Sequence, residues 1–284
     1  MNIQIIDENL ILTDAKHLNI PLCLDCGQAF RWKETENGIW QGIACDKFLS
    51  IKQEENQITF FNTTKEDFEN LWVKYFDLER DYEKILSSYD EKNLITACKA
   101  YPGIRILKQD EWEAICSFII SANNNIPRIK GIIERLCENF GEKIECGYTF
   151  PTPHRLSSLE VEDLAIIRSG FRAKYIIDAA RKISSGEVDL EKVKTMDFED
   201  AKNELLKIKG VGEKVAQCAL LYGFGRMEAF PVDVWVKRIV AELYPNGLPE
   251  CIKGTEGIAQ QYLFHWRRNL GIAILSEEQK EKAQ

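Results

Sequence analysis

Lys214, Cys218 and Asp233 are the side chains whose types and spacing suit covalent chemistry. Lys214 and Cys218 lie four apart in the apolar run EKVAQCALLY, so on a helix they share one face. Val215, Ala219, Leu220 and Leu221 make surroundings that disfavour a charged amine, the condition under which a lysine attacks carbon. The plain alternative is a lysine that snorkels to solvent from the first helical turn. Asp233 follows nineteen residues later in Pro231-Val232-Asp233, where the chain reverses and brings a carboxylate back towards the lysine. The same aspartate reads as the N-cap of VWVKRIVAELY, a structural role that can coexist with chemistry. Just upstream, Lys209-Gly210-Val211-Gly212 forms a tight hairpin between helices, with backbone N–H groups placed to receive a phosphate.

The elements that must position these groups fall into two kinds. Residues 1 to about 80 read as β, in short runs such as LILT, IWQGIACD, FLSIK and QITFFN separated by Asn, Gly and Asp turns. ENG at 36–38 marks a hairpin. Beyond that the period becomes helical, which places a domain boundary near 80–90. The expected fold is α+β: an N-terminal antiparallel twisted β domain over 1–85, then a mainly helical domain over 86–284 with a helix-hairpin-helix unit at 198–234. Trp112, Ile115, Cys116 and Ile119 form a helical stripe opened by Asp110 and Glu113 as a capping box, ending at Ser121-Ala122. Three asparagines, 123–125, separate it from a helix opened by Pro127 and closed by Gly141. Such a polar turn between buried helices is either solvated or functional. Phe171-Arg172 opens a further helix; an aromatic beside an arginine on a turn suits insertion into a nucleic acid stack, or is a packed ring with a surface charge.

With 284 residues, 45% hydrophobic, the chain can bury a sizeable core. A net charge of −8 argues against nonspecific coating of nucleic acid. The stretch 202–238 is nonetheless locally basic, with Lys202, Lys207, Lys209, Lys214, Arg226, Lys237 and Arg238 against Glu204, Glu213, Glu228 and Asp233. No apolar run spans a bilayer, and the N-terminus lacks the features of a signal peptide. Nine cysteines, with a lone CxxC at Cys23 and Cys26 and only three histidines, read as reduced thiols of a cytoplasm, with no metal site.

Taken in order, CGQAFRW (26–32), SFIISANNNIPRIKGIIERLCENFG (117–141), SGFRAKY (169–175), VGEKVAQC (211–218), FPVDV (230–234) and GIAQQYLF (257–264) resemble the 8-oxoguanine DNA glycosylases of the helix-hairpin-helix-GPD superfamily. The likeness covers the chain from about Gly27 to Arg267. It implies double-stranded DNA containing 8-oxoguanine as partner and a flipped-out lesion base. In that pattern the Gly27 carbonyl accepts from the lesion's N7–H, where guanine has a lone pair. Phe264 and Cys218 sandwich the base, Gln260 bonds its Watson–Crick edge, and Pro231 belongs to the same pocket. Lys214 attacks C1′ to give a Schiff base followed by β-elimination, and Asp233 stabilises the charge developing on the sugar. Backbone N–H groups of Gly210, Gly212 and Val215 hold a phosphate. Asn123, Arg128 and Arg172 read the orphaned cytosine, with Phe171 as wedge. No organic cofactor or metal is implied for the chemistry; a monovalent cation on the hairpin carbonyls is common in the superfamily.

Two positions depart from the animal and fungal pattern: the wedge is Phe171 rather than tyrosine, and Trp235 stands where a histidine is usual. The resemblance points to a bacterial-type, monomeric, cytoplasmic enzyme. Two other readings stay open on the residues: a monofunctional alkylpurine glycosylase, which lacks the lysine, and a non-catalytic DNA-binding protein that uses the hairpin as a clamp.

Overall fold

The computed structural model describes residues 2–281, with side chains to residue 270. Strands β1 (Asn2–Ile6), β2 (Asn9–Thr13), β3 (Trp32–Glu34), β4 (Ile39–Ala44), β5 (Lys47–Glu54) and β6 (Gln57–Phe61) form one antiparallel sheet ordered β1-β2-β6-β5-β4-β3. Alternation decides its buried face: Leu10, Leu12, Trp40, Leu49, Ile51, Ile58 and Phe60 point inward. Against that face pack Phe68, Trp72, Tyr75 and Phe76, with Phe60 edge-on to Phe68 at 5.1 Å. Trp32 Nε1 donates to Tyr75 Oη at 2.7 Å, so the polar edge of each ring is satisfied inside the core.

The β reading of the first 80 residues is corrected in two places. Helix α1 (Ile20–Asp25) lies within it, started by Pro21 and by Asn19, whose side chain accepts from Leu22 N. Helical turns also run from Lys65 to Tyr75, with Thr64 as cap. Both are too short for a hydrophobic period to reveal them.

The rest is helical. The labelled helices are α2 (Lys92–Ala100), α3 (Glu111–Ser121), α4 (Ile126–Phe140), α5 (Ala173–Ser184), α6 (Phe198–Leu206), α7 (Glu213–Tyr222), α8 (Val234–Leu243) and α9 (Glu256–Glu281). α3 is the buried axis of this part, covered by α4 and α7; α9 lies against α2 and α8. Asp110 caps α3 by accepting from Glu113 N at 2.8 Å. The capping box is only half made, because the Glu113 carboxylate turns to Arg31 Nη1, 3.2 Å away. Arg31 also donates to the Tyr148 carbonyl, so one guanidinium joins the end of the sheet to two parts of the helical region.

Two hydrophobic clusters result, one on the sheet and one around α3 and α7, and Leu107 crosses into the sheet cluster. No helix among the described residues is long and apolar enough to cross a membrane, and the nine cysteines are free thiols.

Candidate active site

α6, the hairpin and α7 form the helix-hairpin-helix. Gly210 sits at φ +84°, and a Cβ there would stand 2.4 Å from the Tyr175 ring, so both conformation and space require glycine. Asp178 Oδ2 accepts from Lys209 N at 2.8 Å and pins the turn to α5. Gly212 is the N-cap of α7 and has no side chain to offer, and the first intrahelical bond runs from Ala216 N to Gly212 O. The N–H groups of the first turn, Val215 included, therefore point out of the helix end without a side-chain cap.

Lys214 is half-buried, its Nζ 3.4 Å from Ser121 Oγ and 5.4 Å from the centre of the Phe118 ring, a contact that suits an ammonium. Phe118 is stacked on Tyr222 at 5.2 Å and meets Phe30 edge-on at 5.8 Å, forming an aromatic floor. Cys218 is buried on the same face. Burial pushes its thiol up to about 11; Lys214 pulls it down in part, and Asp233 adds to the rise. Both charges act on one sulfur, so α7 and the start of α8 converge here, although Lys214 and Asp233 form no ion pair among the described residues. The thiol is neutral at pH 7. Asp233 caps α8, its Oδ1 accepting from Val236 N at 2.8 Å. The preceding loop is tied to α7 by Gln217, which accepts from Phe230 N at 2.8 Å, and Pro231 is buried. Trp235 is 40% exposed, with Arg238 over its ring at 5.5 Å.

Gly27 follows α1 at φ +87°. Its neighbours fix it from behind. Buried Gln28 donates to the carbonyls of Cys23 and Arg105 and accepts from Leu107 N. Gln261 Nε2 donates to the Cys26 carbonyl at 3.1 Å, and Gln261 Oε1 accepts from Tyr222 Oη at 2.6 Å. The loop bearing Gly27 is thus bolted to α7 and α9. Its own carbonyl accepts nothing from the described residues. On α9, Gln260 is 5% exposed and its Oε1 has no partner, while Phe264 is half-buried. Two acceptors, a backbone carbonyl and a buried amide oxygen, are left unclaimed in one region.

The asparagine turn lies two residues beyond Ser121. Asn125 caps α4 by accepting from Arg128 N, and Asn124 donates to the Ile120 carbonyl. Asn123 is exposed in the left-handed region, φ +50°. Its carbonyl accepts from Arg172 Nη2 at 2.9 Å; the Ala122 carbonyl accepts from both Nε and Nη2, and Ser169 O from Nη1. Arg172 is thus 2% exposed rather than displayed on the turn, because these carbonyls draw it in. Burial and the nearby charge of Arg128 lower its pKa. Phe171 is 53% exposed with the Arg172 guanidinium 4.4 Å over its ring, and Arg128 is exposed.

The sequence reading did not single out Ser121, Phe118, Tyr222, Gln28, Gln261 or Arg268, whose Nη1 lies 4.0 Å from where a Cβ on Gly27 would stand. Of these, Gln261 stands beside Gln260, the glutamine that the resemblance assigns to the lesion base, but its bonds to Cys26 and Tyr222 carry no local signal. No group of three or more His, Cys, Asp or Glu suited to a metal occurs among the described residues.

Residues 10–115 match the family model of the 8-oxoguanine DNA glycosylase N-terminal domain, and residues 116–250 match that of the HhH-GPD superfamily base excision DNA repair proteins. The chain is 30% identical over 283 residues to the probable N-glycosylase/DNA lyase of Methanothermobacter thermautotrophicus, covering 85% of this chain and 90% of that one. It is 34% identical over 251 residues to the N-glycosylase/DNA lyase of Saccharomyces cerevisiae, covering 78% and 67% respectively. Its structure superposes with a TM-score of 0.89, at 37% identity, on the Clostridium acetobutylicum 8-oxoguanine glycosylase/lyase in complex with double-stranded DNA containing cytosine opposite 8-oxoG. That match covers 95% of this chain and 99% of that one.

Proposed function

The chain belongs to the family of 8-oxoguanine N-glycosylase/DNA lyases, and on that premise we propose that it excises 8-oxoguanine from double-stranded DNA and then nicks the strand. The pair of unclaimed acceptors carries the reading: the Gly27 carbonyl and Gln260 Oε1. 8-Oxoguanine offers donors on both edges, N7–H on one and N1–H with the amino group on the other. Undamaged guanine would turn its N7 lone pair towards a carbonyl that cannot switch to donating. Phe264 and the neutral Cys218 thiol form the two faces of the base slot, with Pro231 at its side.

The amine of Lys214 forms a bond to C1′ as the bond from C1′ to the base breaks; loss of the amine proton and opening of the C1′–O4′ bond, with O4′ taking a proton, then leave a Schiff base, from which β-elimination breaks the C3′–O3′ bond. Asp233 offsets positive charge developing on the sugar. The uncapped N–H groups around Gly210, Gly212 and Val215 take a phosphate and fix register without reading sequence. Phe171 enters the stack. Asn123 and Arg128 face the orphaned cytosine, and Arg172, drawn under the turn, holds them in place from beneath. This chemistry calls on no organic cofactor. A monovalent cation on the hairpin would share the turn with Lys182, whose Nζ already donates to the Lys207 carbonyl. The whole constellation comes from one chain, which supports action as a monomer, and a DNA substrate fits a bacterial cytoplasm. The division at 1–85 and 86–284 follows the two hydrophobic clusters only in outline, since Cys26, Phe30 and Tyr82 join the helical cluster and Leu107 the sheet cluster.

Borohydride trapping on a lesion:cytosine duplex tests the reading. A covalent adduct that Lys214→Gln abolishes supports it. Base release without adduct would favour a monofunctional alkylpurine type, and binding without release a clamp. Faster single-turnover release opposite cytosine than opposite adenine is expected.

A further inference from the structure

We propose that Arg268 is a specificity-determining residue of the lesion pocket, its guanidinium donating to the oxygen on C8 of the flipped base. The proposal rests on the lesion reading above. Gln260, Phe264 and Arg268 recur every fourth residue on α9 and therefore share a face. Arg268 Nη1 and Ile126 Cδ1 are the groups that a Cβ on Gly27 would meet, at 4.0 and 3.8 Å. The guanidinium thus stands beside the backbone that faces N7 of the lesion. It is half-buried and has no carboxylate within ion-pair distance among the described residues. Asp25, the acidic group on this side, lies 3.6 Å from Lys130 instead. The Arg268 charge reaches inward as well: burial, and after it Arg268, hold the His265 imidazole below its usual value, with Asp25 opposing. On the same helix face the buried Gln260 Oε1 lacks a partner, which independently marks the space as one built for a ligand.

The chemistry follows from what distinguishes the lesion. Its two differences from guanine sit on adjacent ring atoms, a hydrogen on N7 and an oxygen on C8. A carbonyl reads the first. The second is an acceptor, and a half-buried guanidinium next to that carbonyl is the matching donor. Guanine presents a C–H at the same place. Arg268 therefore acts on the property that Gly27 leaves unread.

The test compares Arg268→Ala and Arg268→Lys in the Lys214→Gln background, so that binding is measured without turnover. Affinities for 8-oxoguanine:cytosine and guanine:cytosine duplexes are determined across salt concentrations. We expect Arg268→Ala to lower the preference for the lesion about tenfold to a hundredfold, with affinity for undamaged DNA and its salt slope unchanged. An equal loss on both duplexes with a slope smaller by about one would assign Arg268 to a phosphate and overturn the proposal, as would an unchanged preference. Arg268→Lys, which keeps charge and stem but not the fork, is read the same way if the alanine variant misfolds. If the protein with Arg268 intact shows no preference for the lesion, the lesion reading has failed rather than the role of Arg268.

Discussion

Asp233 has two jobs that different substitutions pull apart. Its Oδ1 caps α8 with a 2.8 Å bond from Val236 N, and its charge is proposed to act on the sugar. Asparagine caps about as well as aspartate, so Asp233→Asn forfeits only the favourable charge at the helix start, about 0.3–1 kcal/mol. Asp233→Ala removes the cap as well, at about 1 kcal/mol. For a chain of this size a change of 1 kcal/mol moves Tm by about 2–4 °C. Catalysis should not follow that order. Losing a group aimed at transition-state charge costs about a hundredfold to a thousandfold in rate, and both variants lose it. Single-turnover base release should therefore fall by that factor in Asp233→Asn and Asp233→Ala alike, while thermal melts separate them by a few degrees. Release from Asp233→Asn within a few-fold of the unmutated protein would reduce Asp233 to a cap and refute the reasoning. So would a loss of rate that tracks the loss of Tm.

Gly210→Ala should lower stability by about 1–3 kcal/mol, since the added carbon meets the Tyr175 ring at φ +84°, and it should weaken DNA binding with it. Removing the ring as well, in Gly210→Ala/Tyr175→Ala, should relieve the collision but not the backbone strain; full recovery in a melt would count against the latter. Glu113 supplies a pH dependence. Burial outweighs Arg31 and pushes its carboxyl from 4.5 to about 7, so the folded state holds this proton more tightly than the unfolded chain. Its contribution to stability is present below about 4.5 and is lost as pH rises to about 7, with a slope approaching about 1.4 kcal/mol per pH unit. Glu113→Gln should flatten that part of a urea-midpoint profile, and an equally steep variant would point to another group.

What the sequence made legible was local. The ends of α3 and α4 follow from Asp110, Pro127 and Gly141, groups that act within a turn of their own position. The pairing of Lys214 with Cys218 needs only helical spacing. α1 and the turns from Lys65 to Tyr75 were misread because a six-residue helix shows no period, and their caps, Asn19 and Thr64, resemble ordinary turn residues. The half-made capping box was hidden for a different reason: Glu113 found a stronger partner in Arg31, 82 positions away. Long-range bonds of this kind also fix Gly27. The contact from Gln261 to the Cys26 carbonyl spans 235 positions, and nothing near either residue announces it.

The bonds of Arg172 to Ala122, Asn123 and Ser169 have a mechanical consequence. They join the turn after α3 to the turn before α5, and the same guanidinium lies over Phe171. Wedge and asparagine turn are therefore parts of one stiff beak. On the roles proposed above, driving the ring into a base stack and bringing Asn123 to the opposite strand would be a single displacement, and the partner base would be inspected in the same stroke that opens the helix.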